Sequence, residues 1–354
     1  MKGFNIRENL KGLSKVLISI IIALVIGAIF LIVQGENPIE IYYYLLFDSL
    51  SSTNGVLKML GKATPLIFTG LAVAISFKCG IFNCGVEGQL LFGGLASAIA
   101  GYYLSGLPAA LHLILSILAG MAAGAVYAFI PAFLKIRFRV HEVISTIMLN
   151  NVANALITLL VVNYFRSSGP HARTSNVADS ALLTQFKPPE QVNTGFFIAI
   201  AAVVAIYILL NKTPLGWRID ASGKNLESTS YSGINSKRVI IYTMLISGAV
   251  AGLCGVERVL GAYGYMELGF SPGYGFEGIT VAVLARNNPI GCLIGALFIG
   301  LLQSGGVNIN TMTNVPYEWV QALIAIIFIL VAAQNGLFNS LKKLFTSKKK
   351  AVIE

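Results

Sequence analysis

The chain has 354 residues, of which 56% are hydrophobic and only 11% are charged, and its mean hydropathy is +0.76. Soluble domains carry roughly a quarter charged residues, so this composition excludes an ordinary water-soluble protein. The net charge of +10 does not indicate nucleic-acid binding. The Lys and Arg residues lie mostly in short segments between apolar runs, which is typical of loops on the cytoplasmic side of a membrane.

The N-terminal region predicts a first membrane span over residues 16–33. This apolar run is long for the core of a signal peptide, and no small-x-small cleavage pattern follows it. An amphipathic stretch over residues 38–62 comes next and contains Tyr42, Tyr43 and Tyr44. Because tyrosine favours the headgroup zone, we expect this stretch to lie along the outer surface.

Further apolar segments predict spans two to ten. They cover residues 64–77, 90–104, 108–134, 143–162, 195–210, 239–260, 278–285, 290–305 and 317–333. Spans two and eight are too short for ordinary membrane-crossing helices. The sequence therefore predicts an all-α polytopic membrane protein with about ten transmembrane helices, some of them short and broken.

The positions of the basic residues predict the orientation. With the N-terminus inside, alternating spans place the main basic segments inside as well. These segments are Lys78, residues 135–139, the loop 211–238, Arg286 and the tail 339–354. We therefore expect both termini in the cytosol and an extracellular loop at residues 163–194.

A short internal repeat indicates how the spans are organised. Residues 80–88 resemble residues 269–278, since both segments are Gly-rich and each contains one carboxylate, Glu87 or Glu277. The spans that precede them run in opposite directions in the predicted orientation. We expect a single membrane domain, residues 1–354, built from two inverted five-helix halves, residues 1–162 and 195–338, with broken helices near a pathway. Chance similarity is the alternative.

The breaks also hold the side chains that suit a transport pathway. A carboxylate within a bilayer is costly, so Glu87 and Glu277 indicate either a polar pathway or caps on half-helices. Amides and aromatic faces accompany them, a mixture that favours a neutral, hydrogen-bonding solute with a flat ring. The candidate pathway residues are Phe82, Asn83, Glu87, Gln89, Asn150, Phe270 and Glu277.

Other polar residues within spans have less specific interpretations. Asn150, Asn151 and Asn154 in span five form either packing contacts between helices or solute contacts. For Glu257 and Arg258 in span seven, we expect pairing with polar groups inside the bundle. The four cysteines are expected to be small buried side chains.

No pattern of an enzyme is evident. The three histidines are scattered, so neither a metal site nor a catalytic cluster is indicated. The nearest approach to a P-loop, residues 216–225, has the wrong spacing and no Ser or Thr after the lysine. We therefore expect neither an enzyme nor a cofactor of its own; if ATP powers this protein, a separate chain binds the ATP and Mg.

Several segments carry a family resemblance. They are residues 80–89, 142–150, 215–218, 223–225, 232–234, 248–253 and 286–291. Through them the chain resembles the membrane permeases of bacterial ATP-binding-cassette (ABC) importers of the ribose and branched-chain amino acid type. It is most similar to the nucleoside and simple-sugar permeases served by a basic-membrane-protein lipoprotein. The chain departs from the family pattern at His141, Asp220, Ser228, Thr229 and Ala285.

The resemblance implies a permease subunit of an ATP-driven nucleoside importer in the bacterial cell membrane. Its implied partners are a second related permease, which makes a heterodimer, a two-cassette ATPase and an extracellular substrate-binding lipoprotein. The loop 163–194 is a plausible contact for the lipoprotein. An ABC permease for a sugar, amino acid or vitamin is the alternative, and an ion-coupled secondary carrier is a different class.

The resemblance also implies a role for the long inner loop. In this family that loop forms a coupling helix that sits in a groove of the ATPase, and it corresponds here to residues 213–234. Its glycines and polar residues suit a short docking helix. The implied coupling residues are Gly216, Arg218, Gly223, Asn225 and Gly233.

Overall fold

The computed structural model describes residues 6–188 and 190–350, with side chains described for 14–188 and 190–334. The first helices are α1 (Ile6–Val33), α2 (Pro38–Tyr43), α3 (Ser49–Ser51), α4 (Thr53–Lys78), α5 (Val86–Tyr103), α6 (Ala109–Phe138) and α7 (Glu142–Asn163). The remaining helices are α8 (Gly195–Lys212), α9 (Pro214–Lys224), α10 (Leu226–Tyr231), α11 (Ser236–Val256), α12 (Tyr274–Leu284), α13 (Pro289–Met312) and α14 (Tyr317–Lys350). Across the described residues, β-structure is limited to isolated bridges.

The described part of the chain contains eight helical segments long and apolar enough to cross a membrane. They lie in α1, α4, α6, α7, α8, α11, α13 and α14, and the segment in α11 continues to Tyr263. The helix α5, with 18 residues, and α12, with 11, account for the other two predicted spans. The all-α polytopic architecture is confirmed.

The prediction that span two is short is wrong. The helix α4 begins at Thr53 and has 26 residues, so residues 53–62 belong to it and not to a surface segment. It continues through Pro65, which has no N–H to donate to the Gly61 carbonyl one turn earlier. The guanidinium of Arg258 donates to that carbonyl instead, with an Nη2–O distance of 3.2 Å. The freed acceptor is therefore satisfied from another helix.

The chain divides into two compact units. The described residues up to Ser49 and from Leu302 onward form the first unit, in which α1 packs on α14. Within it, the Tyr42 hydroxyl donates to the Leu24 carbonyl, and burial raises the pKa of Tyr42 to about 12. Residues 50–301 form the second unit, which contains both predicted breaks.

Close helix contacts through small residues organise the second unit. A Cβ added to Gly93 of α5 would lie 2.5 Å from the Cα atom of Gly252 in α11. A Cβ added to Gly278 of α12 would lie 2.6 Å from that of Thr69 in α4. Such contacts are typical of membrane helices, where small residues let backbones approach. Each helix that precedes one break thus packs against the helix that follows the other break. The division into inverted halves, residues 1–162 and 195–338, stays a prediction.

The loop 163–194 packs along the chain that follows α11. A π-helical segment, Glu257–Tyr263, continues α11. The Val177 N–H donates to the Gly264 carbonyl at 2.8 Å, and the Thr174 N–H donates to the Met266 carbonyl at 2.8 Å. The Gln185 side chain donates to the Gly261 carbonyl at 2.8 Å. Backbone and side-chain bonds therefore fix the loop to the chain that follows α11, and the Ala178 N–H also donates to the Gly101 carbonyl of α5 at 3.0 Å.

Candidate functional site at two helix breaks

Break 1, residues 79–85, separates α4 from α5, and its backbone turns at Gly80, whose φ is +75°. The buried Asn83 side chain organises it. Its amide donates to Gln89 Oε1 at 3.2 Å and to Ser247 Oγ at 3.0 Å. Its Oδ1 accepts from the Gly85 N–H at 3.0 Å and from Gln89 Nε2 at 3.1 Å. The side-chain amides of Asn83 and Gln89 thus satisfy each other's hydrogen bonds and tie break 1 to the first turn of α5.

A second amide anchors break 1 from α7. Asn150 Oδ1 accepts from the Gly88 N–H at 2.9 Å, and its Nδ2 donates to the Cys84 carbonyl at 2.8 Å. The first N–H groups of a helix lack partners within the helix, so Asn150 supplies one for α5. Of the two interpretations of this asparagine, the structure shows the packing contact.

Break 2, residues 264–273, lies between the π-helical segment and α12 and is rich in glycine. Gly264, Gly269 and Gly273 have φ values of +75°, +75° and +107°, which favour glycine. The Ser271 hydroxyl accepts from the N–H groups of Gly273 and Tyr274 at 3.3 and 3.2 Å. These two hydrogen bonds are long, so they support the start of the buried helix α12 only weakly.

The two breaks meet through Glu87. This residue lies in the first turn of α5, yet its Oε2 accepts from the Gly275 N–H in the first turn of α12, at 2.7 Å. A Cβ on Gly275 would lie 2.4 Å from the Glu87 nitrogen, so the two backbones are in contact. A carboxylate is favoured where helix N-termini converge. Glu87 is therefore a cap, but for the helix of the other break.

The remaining candidates differ in their surroundings. Phe82 is 41% exposed, and its ring centroid lies 4.5 Å from that of Phe77. Phe270 is buried, and a Cβ on Gly94 would lie 3.2 Å from its ring. Glu277 is partly buried in the first turn of α12, within electrostatic range of Lys62. Phe82 is thus the most accessible of the predicted pathway side chains.

A buried ion pair of Glu257 and Arg258 lies in the π-helical segment before break 2, where the sequence predicts pairing with polar groups inside the bundle. Arg258 donates to both carboxylate oxygens of Glu257, at 2.6 and 2.7 Å. The Asn193 amide donates to Glu257 Oε1 at 2.8 Å, and Arg258 donates to Gln191 Oε1 at 3.3 Å. The guanidinium also lies 5.9 Å from the ring centroid of Tyr274, the first residue of α12. Gln191 and Asn193 were not predicted, because nothing local in the loop sequence distinguishes them.

The loop 211–238 forms two short helices, α9 and α10, where one docking helix was expected. Gly216 packs against α8, where an added Cβ would lie 2.3 Å from the Leu209 carbonyl. The Asn225 side chain caps α10 by accepting from the Ser228 N–H at 2.9 Å. Gly233 turns the chain with φ +80°. The exposed side chains on this pair of helices include Trp217, Arg218, Leu226 and Tyr231.

The end of α9 rests on break 1. A Cβ on Gly223 would lie 2.1 Å from the Lys78 carbonyl oxygen and 3.1 Å from the Gly80 nitrogen. Only glycine permits two backbones to approach this closely. Contacts therefore run from α9 to break 1, and from Glu87 at the start of α5 to the first turn of α12, which follows break 2.

A cavity of about 300 Å³ lies between the loop 163–194 and the π-helical segment. It is lined by Leu182, Leu183, Gln185, Leu260, Gly261, Tyr263 and Gly264.

All four cysteines are buried and free, as predicted. Among the described residues, no group of three His, Cys, Asp or Glu side chains is arranged to bind a metal ion.

A bundle of apolar helices with two buried, capped breaks is the architecture of a membrane transport protein. Residues 55–332 match the model of the family described as "Branched-chain amino acid transport system / permease component". The chain belongs to this family of permeases and is a multi-pass membrane protein.

Three similar proteins cover most of the chain. The guanosine ABC transporter permease protein NupP of Bacillus subtilis (strain 168) is 36% identical, over 93% of this chain and 96% of its own length. The nucleoside ABC transporter permease protein NupB of Lactococcus lactis subsp. cremoris is 34% identical, over 90% of both chains. The glucose ABC transporter permease protein TsgB13 of Haloferax volcanii is 32% identical, over 89% of this chain and 85% of its own.

Two of these organisms contain a further similar permease. NupQ, a guanosine ABC transporter permease protein of Bacillus subtilis, is 30% identical over 255 residues. NupC, a nucleoside ABC transporter permease protein of Lactococcus lactis, is 27% identical over 293 residues. In each of these two organisms, two similar permeases are thus named for the same substrate.

Proposed function

We propose that this chain is the permease subunit of an ATP-driven nucleoside importer. The observation that carries the proposal is the similarity to guanosine and nucleoside permeases along about nine-tenths of the chain. The breaks fit this role, because a non-helical backbone inside a membrane bundle is tolerated where it is buried or borders a cavity. In this proposal the chain moves the solute and carries out no chemical step.

A second, related permease completes the pathway. The paired permeases in Bacillus subtilis and Lactococcus lactis support a heterodimer of two similar chains. The solute passes between the two chains, and the predicted pathway side chains at the breaks lie near it. Among these side chains, Phe82 is the best candidate for a contact with the solute, since its ring is exposed.

The helices α9 and α10 form the docking surface for the ATPase. Trp217 is 63% exposed and Tyr231 is 92% exposed, and these aromatic side chains suit a protein contact. A two-cassette ATPase that binds ATP and Mg²⁺ engages this surface in the cytosol. When the cassettes close, α9 moves with them, and Gly223 transmits the displacement to break 1 because their backbones touch.

The orientation follows from the same proposal. With α9 and α10 in the cytosol, both termini are cytoplasmic and the loop 163–194 faces outward in a bacterial cell membrane. That loop receives the substrate-binding lipoprotein. Its backbone bonds to Gly264 and Met266 carry the contact to break 2, so each break responds to a different partner.

A sugar is the second candidate substrate. The similarity to the glucose permease of Haloferax volcanii favours it, since that protein is only four percentage points less identical than the guanosine permease. Ribose hydroxyls and sugar hydroxyls make the same hydrogen bonds, so the breaks do not discriminate between the two. A direct comparison of solutes is needed.

The test is uptake by cells with and without the chain. Radiolabelled guanosine, adenosine, cytidine, uridine and glucose are compared in a deletion strain, in the same strain with the restored chain, and in the parent. We expect the deletion to lower uptake of at least one nucleoside more than tenfold and to leave glucose uptake unchanged. Selective loss of glucose uptake would establish the sugar alternative. Equal uptake of all nucleosides in every strain would overturn the nucleoside assignment.

A further inference from the structure

The helix α7 carries a polar stripe on its exposed surface. The stripe consists of Asn151, Asn154 and Thr158, which are all exposed within a candidate membrane span. Residues three, four and seven apart share one face of a helix, so these side chains fall within an arc of about 60°. The stripe is therefore one continuous polar surface.

A different exposed face of α7 is apolar. Met148, Val152 and Leu159 are 59%, 46% and 47% exposed. Because an α-helix turns by about 100° per residue, the centre of this apolar face lies roughly 110° around the helix axis from the centre of the stripe. Such a face suits lipid. The helix therefore presents two different surfaces, and they require two different surroundings.

The neighbouring spans have no such stripe. Every exposed residue of α6 between positions 109 and 133 is apolar, and so is every exposed residue of α8 between positions 195 and 210. Their large exposed side chains are Leu111, Ile114, Leu118, Val126, Phe129, Ile130, Phe133, Phe197, Val204 and Ile208. Exposed polar side chains are thus a feature of α7 that the spans before and after it, α6 and α8, do not share over these positions.

Lipid is a poor environment for the stripe. The Thr158 hydroxyl donates to the Asn154 carbonyl at 2.8 Å, so this residue is satisfied within its own helix. The two asparagine amides are less easily accommodated, since moving an amide from water to hydrocarbon without a hydrogen bond is strongly unfavourable. Polar groups within spans therefore face water or a partner.

The position of the stripe indicates whether it faces water or a partner. It begins beside Asn150, whose side chain holds the Gly88 N–H and the Cys84 carbonyl of break 1. The stripe therefore extends along α7 from the turn that is tied to break 1. A route for a solute along break 1 would therefore pass beside the stripe.

We propose that the polar stripe of α7 lines the aqueous pathway between this chain and the second permease, and that the amides of Asn151 and Asn154 hydrogen-bond the passing nucleoside. This inference rests on the proposed function. An amide offers both donors and acceptors, which match the edges of a nucleobase and the ribose hydroxyls. Because the amides are neutral and exposed, they bind weakly enough for the solute to move on.

The first test measures exposure to water in the assembled importer. Asn151, Asn154 and Thr158 are changed singly to Cys, with Met148→Cys, Val152→Cys and Leu159→Cys as matched controls on the apolar face. The parent chain is the blank, since its four cysteines are buried. We expect a membrane-impermeant thiol reagent to label the stripe at least tenfold faster than the controls. Equal or slower labelling of the stripe would overturn the proposal.

The second test measures solute contact. Guanosine at saturating concentration should slow labelling of Asn151→Cys and Asn154→Cys severalfold, and each of Asn151→Ala and Asn154→Ala should raise KM about threefold to tenfold. Val152→Ala should leave KM unchanged. Labelling of the stripe without protection by any nucleoside would overturn the solute contact. The labelling needs no transported solute, so its result stays distinguishable from a failure of the nucleoside assignment.

Discussion

Break 1 and break 2 each begin a helix whose first N–H groups lack partners within that helix. At break 1, side-chain amides supply the partners: Asn83 serves Gly85 and Asn150 serves Gly88. At break 2, the chain turns on three glycines and obtains the partner for Gly275 from Glu87, which belongs to α5. Break 1 is therefore anchored by a side chain of its own and by one from α7, whereas break 2 depends in part on Glu87 beside break 1.

The support behind the breaks differs as well. Break 2 is backed by the buried pair of Glu257 and Arg258, and the same guanidinium satisfies the carbonyl that Pro65 leaves free in α4. Break 1 is backed by α9, through the backbone contact at Gly223. Break 2 is therefore supported by buried charge, and break 1 is supported by the short helix α9.

The largest expected effect comes from removing the charge behind break 2. Arg258→Met leaves the Glu257 carboxylate buried without its cation and frees the Gly61 carbonyl, so we expect a loss of about 3–5 kcal/mol in the free energy of unfolding. Thermal unfolding of the purified importer in detergent measures it. The control is Lys224→Met, which removes an exposed pair with Asp220 and should change little. Equal stability of the two variants would contradict a supporting role for Arg258.

The next effect tests the amide anchor of break 1. Asn83→Ala leaves the buried side-chain amide of Gln89 and the Gly85 N–H without a partner, and we expect a loss of about 2–3 kcal/mol in the free energy of unfolding. Asn211→Ala is the matched control, because its amide makes a single exposed bond to the Tyr207 carbonyl. The same thermal unfolding applies. Unfolding of Asn83→Ala at the control's temperature would show that break 1 does not depend on its amides.

A smaller effect tests the contact between α9 and break 1. Gly223→Ala places a Cβ 2.1 Å from the Lys78 carbonyl, so one backbone must shift. We expect ATP-driven nucleoside uptake to fall about tenfold while the chain still reaches the membrane, an effect of about 1.4 kcal/mol. Gly169→Ala is the control, since nothing lies within 4 Å of an added Cβ there. Full uptake by Gly223→Ala would remove α9 from the coupling route.

The smallest effect concerns the cap that crosses between the breaks. Glu87→Ala removes the acceptor for the Gly275 N–H, and we expect a loss of about 1 kcal/mol, as for other helix caps. Glu87→Gln keeps an acceptor oxygen and should retain most of the stability. The same unfolding measurement compares the two variants. A glutamine variant as unstable as the alanine variant would indicate that the charge, and not the hydrogen bond, holds α12.

The positions of the membrane-spanning helices could be predicted from the sequence better than the hydrogen bonds at the two breaks. Long apolar runs gave most spans to within a few residues, because helices in lipid must be apolar. The start of span two was predicted wrongly, since Lys58 and Lys62 argue against a membrane span and Pro65 argues against a continuous helix. Arg258 compensates for the proline from a distant position in the sequence. The partners of Asn83, Glu87 and Asn150 also depend on packing between residues far apart in sequence, and no local pattern encodes that packing.

Hydrogen exchange at the Gly275 and Gly88 amides tests the central claim, the dependence of break 2 on break 1, most directly. Mass spectrometry of peptides around each break follows both amides in the parent, Glu87→Ala and Asn150→Ala. We expect Glu87→Ala to remove protection at Gly275 and leave Gly88 protected, because Asn150 still holds it. Asn150→Ala should release Gly88. Unchanged protection of Gly275 in Glu87→Ala would contradict the account.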